Sequence, residues 1–98
     1  MALKIIWSSR AEIGFDRIVT YLIDNWSEKE VRMFIQETSK FLELLSENPY
    51  ILQKSNSRKN LYRGPMNRLT MITYRLYPRK KLIELVNIRS TRQKPLYE

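Results

Sequence analysis

The sequence predicts an α+β fold: an opening strand, then an antiparallel helix hairpin, packed together on one face of a small, mainly antiparallel sheet. Three observations predict it. A short β-rich alternation opens the chain, two segments of helical period with start signals follow as far as Asn48-Pro49, and the remainder turns to β-branched and aromatic residues. With 98 residues the chain has room for one core, so residues 1–98 are expected to form a single domain.

Leu3, Ile5 and Trp7 alternate with Lys4 and Ile6, which reads as a short strand with one strongly apolar face. Ser9-Arg10-Ala11-Glu12 has the spacing of a capping box, so a helix is expected to start with Ser9 as its cap. Ala11, Phe15, Ile18, Val19, Leu22 and Ile23 follow at helical spacing, and the helix should end near Asn25-Trp26. Ser27-Glu28-Lys29-Glu30 repeats the capping pattern, and Val31, Phe34, Ile35, Thr38, Phe41, Leu42 and Leu45 run down one face of a second helix. Asn48-Pro49 stops it, because proline disfavours helical geometry at the residue before it. So short a link makes the pair antiparallel.

Tyr50-Ile51-Leu52 can begin an extended segment, and the polar, basic run 53–60 reads as a loop. Leu61-Tyr62-Arg63 is a short strand candidate, closed by Gly64-Pro65. Residues 68–77 and 82–89 read as two strands of a hairpin turned by Pro78-Arg79-Lys80-Lys81, with Leu82, Val86 and Ile88 on one face of the second and Ile83 and Leu85 on the other. The opening strand must join this sheet, since a lone strand does not hold itself.

Charge divides the chain in two. Residues 1–49 carry a net −2 and residues 50–98 a net +10, so the second half is suited to meet something anionic: phosphates or an acidic protein. The absence of cysteine excludes disulfides and thiolate chemistry, and the absence of histidine removes the usual base at neutral pH and the commonest metal ligand. No metal site and no cofactor are expected; glycine occurs only at Gly14 and Gly64, too few for a phosphate-binding loop. The apolar start is too short for a signal-peptide core and no later run is long enough to span a bilayer, so a cytoplasmic protein without membrane contact is expected.

Particular residues in this order resemble the RelE/ParE superfamily of toxins from type II toxin-antitoxin pairs. The resemblance rests on Ile5-Ile6-Trp7 followed by Ser9 and Ala11-Glu12, on Ile18-Val19-Thr20-Tyr21-Leu22, and on Asn25-Trp26-Ser27-Glu28-Lys29. It continues through Leu45-Ser46-Glu47-Asn48-Pro49, Thr70-Met71-Ile72-Thr73-Tyr74-Arg75-Leu76 and Ile88-Arg89-Ser90-Thr91-Arg92-Gln93-Lys94-Pro95, and so covers nearly the whole chain. It implies a growth inhibitor held inactive by a cognate, acidic antitoxin, with assembly of higher oligomers through that partner. One branch of the superfamily cleaves messenger RNA in the ribosomal A site; another shares the fold, lacks the cleavage residues and poisons DNA gyrase.

The RNA-cleaving branch uses basic, acidic and tyrosine side chains on the sheet and at the C-terminus, and the matching regions here offer Arg63, Arg68, Arg89, Arg92 and Tyr97. Arginine suits such a role because its guanidinium forks onto phosphate and stays charged. The plainer alternative for each is a solvated side chain or an antitoxin contact, and for Tyr97 a terminal residue without a role. Arg92 ranks first, lying where the last strand meets the tail. Tyr62, Tyr74 and Tyr77 read as half-buried packing residues with wet hydroxyls, and Glu84 as a solvent-facing partner of a lysine. Lys54, Arg58 and Lys59 in the loop, and Arg79, Lys80 and Lys81 in the turn, are candidates for phosphate or partner contact by charge, the alternative being a solubilising loop. Two inhibitor readings therefore stand, a gyrase-type binder slightly ahead of a ribosome-dependent endoribonuclease, with a non-toxic nucleic-acid-binding module as a third.

Overall fold

A computed structural model describes residues 2–91. The opening strand β1 (Lys4–Trp7) leads into α1 (Ser9–Asn25) and α2 (Glu28–Glu47), followed by β2 (Gln53–Lys54), β3 (Leu61–Asn67), β4 (Thr70–Tyr77), a 3-10 turn at Pro78–Lys80, and β5 (Leu82–Ser90). These strands form one mixed five-stranded sheet in the order β1-β5-β4-β3-β2. Only the β1–β5 pairing is parallel; the other three are antiparallel. The predicted α+β arrangement with its helix hairpin is what the structure has.

The cap of α1 is Ser8, not Ser9. Its hydroxyl accepts from the Ala11 amide at 3.0 Å and donates to the Val86 carbonyl at 3.0 Å, so one serine both starts the helix and ties it to β5. Sequence spacing alone could not separate two adjacent serines; the contact with β5 decides. At α2 the expected box is in place, with the Ser27 amide donating to the Glu30 carboxylate at 3.2 Å; the Ser27 hydroxyl bond first, and backbone amides after it, lower the Glu30 pKa. Asn48 closes α2, as the following proline requires.

The helix faces are narrower than the apolar pattern suggests. Ala11, Ile18, Phe34, Thr38 and Leu45 are buried, with Phe15, Val19, Leu22, Phe41 and Leu42 packed around them. Ile23 and Ile35 lie outside this stripe, 61% and 46% exposed. Trp7 meets Phe15 edge-on at 5.4 Å and Phe15 stacks on Phe34 at 5.3 Å, which joins β1, α1 and α2 through one aromatic run. Gly14 sets the height of α1 over the sheet: a Cβ there would stand 1.9 Å from the Ile88 carbonyl oxygen.

The sheet's helix-side face is formed by Thr70, Ile72, Tyr74 and Leu76 of β4 and by Ile83, Leu85 and Ile88 of β5, all buried. Strict alternation would put Ile88 on the opposite face from Leu85. The pairs Thr73↔Asn87 and Tyr74↔Leu85 leave Val86 over, and this bulge brings Ile88 back to the helix side. The predicted grouping of Leu82, Val86 and Ile88 fails for that reason. Tyr62 and Tyr74 are likewise not half-wet: both are buried, stacked at 5.3 Å, and the Tyr74 hydroxyl donates to the Pro49 carbonyl at 2.6 Å.

β3 continues through Gly64-Pro65 instead of ending there. The Leu61 carbonyl faces β2, accepting from Ser55 at 2.7 Å, while the Asn60 carbonyl faces β4, accepting from Leu76 at 2.9 Å. The backbone groups of Leu61, Arg63 and Pro65 therefore point away from β4, and β2 covers only Tyr62 and Arg63. Pro65 has its nitrogen on an unpaired edge, where the missing donor costs nothing. β2 itself occupies the start of the stretch expected to be loop, and Tyr50-Ile51-Leu52 is turn and bend rather than strand.

Candidate functional site

Pairing register assigns the open face, opposite the helices. Side chains directly across a ladder share a face, so four rows cross it. Pro65, Met71 and Arg89 form the first; Gln53, Arg63, Thr73 and Asn87 the second. Leu61, Arg75, Glu84 and Ile6 form the third, and Tyr77, Leu82 and Lys4 the last.

This face brings together two of the predicted arginines, Arg63 and Arg89, and adds Arg75, which the sequence reading passed over. Arg63 lies diagonally from Arg75 across β3 and β4, a separation of about 7–8 Å that lets both guanidinium groups reach one anion. Strict alternation along β4 was the signal for Arg75: with Tyr74 and Leu76 inward, the residue between them must point out. Arg89 sits one row beyond Arg63, beside Met71.

Glu84 is the carboxylate of this face among the described residues. It is held by Tyr77, whose hydroxyl donates to Glu84 Oε1 at 3.1 Å, rather than by a lysine as expected. The Tyr77 phenol is raised by partial burial and by this bond to a carboxylate, so it keeps its proton at neutral pH. Lys80 Nζ lies 5.7 Å from the centre of the Tyr77 ring.

Arg68 is not on the face. It lies in the β3–β4 turn, where its carbonyl accepts from the Thr91 hydroxyl at 3.3 Å. Arg68 and Leu69 line an apolar groove of about 380 Å³ together with Tyr21, Trp26, Met33 and Phe34 at the α1–α2 connection. Arg92 and Tyr97 fall outside the described residues. Arg79, Lys80 and Lys81 occupy the β4–β5 turn, and Arg58 and Lys59 the β2–β3 loop, which reaches the same end of the sheet; Lys54 is exposed on the edge strand opposite Tyr62. Among the described residues no cluster of three acidic or histidine side chains is placed to hold a metal ion, and no helix is long and apolar enough to cross a membrane.

Chemically, the open face can bind anions through the guanidinium groups of two diagonal neighbours, with Thr73 and Asn87 as neutral hydrogen-bonding neighbours. Among the described residues it has one carboxylate, Glu84, already engaged.

The fold is similar to that in the chromosomal ParDE toxin-antitoxin system from P. aeruginosa, at a TM-score of 0.72 and 12% identity over 91% of this chain and 96% of that one. It is similar also to the RelBE2 toxin-antitoxin complex from Mycobacterium tuberculosis, at 0.63 and 9% identity over 92% and 99% of the two chains. The intact E. coli RelBE complex gives 0.60 and 11% identity over 94% and 100%. At these identities the likeness speaks for the fold alone. No curated protein matches the sequence. A family profile does: that of the ParE toxin of the type II toxin-antitoxin system parDE matches residues 5–95. That match takes in both helices and the four C-terminal strands, and the chain belongs to the ParE toxin family.

Proposed function

We propose that this toxin arrests growth by binding an essential protein target of the DNA gyrase type, and that a cognate acidic antitoxin neutralises it. The observation that carries the reading is the composition of the open face: Arg63, Arg75 and Arg89 supply cations, while its one described carboxylate, Glu84, is engaged by Tyr77. Cleaving RNA through a 2′-hydroxyl needs a group to take that proton as well as cations to hold the phosphate. The chain has no histidine for the first task. A binder needs no such group, and the cations of the face complement an acidic surface. The same positive field suits an acidic antitoxin segment, which would mask it by adding a strand or a helix. Structurally similar toxin-antitoxin complexes support an antitoxin partner.

The test combines two measurements. Purified toxin added to gyrase should block ATP-dependent supercoiling of relaxed plasmid, and premixing with the protein of the adjacent small reading frame should restore it. Primer extension on messenger RNA during induced growth arrest should show no new cuts at ribosome-occupied codons. New cuts with supercoiling intact would replace this reading with the endoribonuclease one.

A further inference from the structure

We propose that the end of the sheet carrying the β4–β5 turn, beyond the arginines of the open face, is a second contact for anions that grips the phosphate backbone of double-stranded DNA. Three segments distant in sequence converge there. The Lys4 amide donates to the Lys81 carbonyl at 3.2 Å, which joins β1 to the turn, and the Leu76 amide donates to the Asn60 carbonyl at 2.9 Å, which joins the β2–β3 loop to the end of β4. Lys4, Arg58, Lys59, Arg79, Lys80 and Lys81 are all exposed on this rim. From β1 across β5 and β4 to β3 is three strand spacings, about 14 Å. That is enough to reach both backbones across a groove about 12 Å wide.

The rim is built rather than loose. The Lys81 amide donates to the Pro78 carbonyl at 3.2 Å, and Lys81 itself is held in the left-handed region at φ 52°. None of the six cations is in an ion pair among the described residues; the pair present there is Arg32–Glu28, on α2. The acidic groups toward this end are Glu43 and Glu47 at the close of α2, beyond β1, where the Ser46 carbonyl accepts from Leu3, and Glu84 on β5, which Tyr77 engages. The turn 78–81 and the loop 56–60 themselves carry cations and no carboxylate.

Two features select duplex DNA. A protein partner is anchored by apolar or aromatic side chains in pockets, and the segments 56–60 and 78–81 carry no large apolar side chain apart from Pro78. A single strand is held by stacking its bases on open aromatic faces. The aromatic residue here, Tyr77, has Lys80 over its ring and its hydroxyl on Glu84. Backbone-only contact by flexible cations suits a duplex, whose bases are already stacked. This goes beyond the proposed target and holds or fails independently of it.

The experiment is fluorescence anisotropy of a labelled 20-base-pair duplex of mixed sequence, titrated with the full-length toxin at several salt concentrations. Four to six phosphate contacts give a slope of log K against log salt of about −4 to −5. The variant Arg79→Gln/Lys80→Gln and the variant Arg58→Gln/Lys59→Gln should each flatten the slope by about 2, while Arg10→Gln/Arg17→Gln on α1 leaves it unchanged. Circular dichroism and thermal melts of each variant confirm that it is folded. Failure to bind the duplex at 50 mM salt, slopes that all three variants leave alike, or tighter binding to the single strand than to the duplex would each overturn the proposal. A supercoiling assay run on the same samples separates it from the gyrase reading, because that inhibition can be lost with duplex binding intact.

Discussion

Gly14→Ala is the sharpest test of how α1 sits on the sheet. The added methyl would stand 1.9 Å from the Ile88 carbonyl oxygen, a backbone atom that cannot turn aside. Ordinary contact requires more than 3 Å, so α1 must retreat from β5 by more than 1 Å or tilt about this point. Two effects oppose each other. Alanine favours the helix over glycine by about 0.8–1.0 kcal/mol. Retreat loosens Ala11 and Ile18, both buried, and Phe15 beside them, and a gap of 0.5–1 Å already loses roughly a quarter to a half of the contact energy. Overpacking of this kind costs about 1–3 kcal/mol or more, and here the clash is with backbone, so the upper part of that range applies. Net destabilisation of about 2 kcal/mol should lower Tm by roughly 8–16 °C for a chain of this size. Thermal melts followed by far-UV circular dichroism measure it, with Thr20→Ala on the exposed side of the same helix as the reference. A Tm equal to or above the parent protein's would refute the close approach of α1 to Ile88.

Ser8→Ala should cost about 1–2 kcal/mol in urea unfolding, more than Ser9→Ala, because Ser8 both caps α1 and donates to Val86. Burial pushes the Tyr74 phenol up to about 12, and that of Tyr62 upward as well. The folded state therefore holds these protons more tightly than the unfolded chain, so this stabilising effect is complete below pH 10 and is lost as pH rises from 10 to about 12. The urea midpoint of the parent protein should fall more steeply over that window than that of Tyr74→Phe; parallel curves would count against the assignment. On the open face, Arg63→Gln/Arg75→Gln should relieve growth arrest on induction by at least tenfold in plating efficiency, while antitoxin-free expression levels stay the same. Arg68→Gln, off the face, should relieve it less, and equal effects would sink the two-arginine site. If Arg92→Ala leaves toxicity intact, its leading rank among the candidates falls.

The helix hairpin was legible because its signals are local: two capping patterns, a 3.6-residue apolar period and a proline stop. Strand existence was legible too, from alternation and β-branched residues. What sequence did not reveal were the places where one element adjusts to another. Ser8 outranks Ser9 through a bond to β5, 78 positions away. Val86 breaks the two-residue period, and no nearby residue announces it. Gly64-Pro65 read as a stop, because a strand's tolerance of proline depends on whether a neighbour covers that edge. Of the site, Arg63, Arg68 and Arg89 were all candidates by their family-like regions; Arg63 and Arg89 do share a face, whereas Arg68 lies in a turn. Arg75 was legible from the alternation of β4, whose inward Tyr74 and Leu76 turn it outward.

The outward nitrogen of Pro65 limits how this sheet can grow. A second copy, or any extended peptide, that annealed along β3 past Arg63 would meet a position that has nothing to donate, followed by the irregularity between Pro65 and Asn67. Zippering of copies into a continuous ribbon is interrupted after one or two rungs on that flank. On the opposite flank β1 is four residues long and the end of α2 claims the amide just before it. Both flanks of the sheet thus offer little template for self-association.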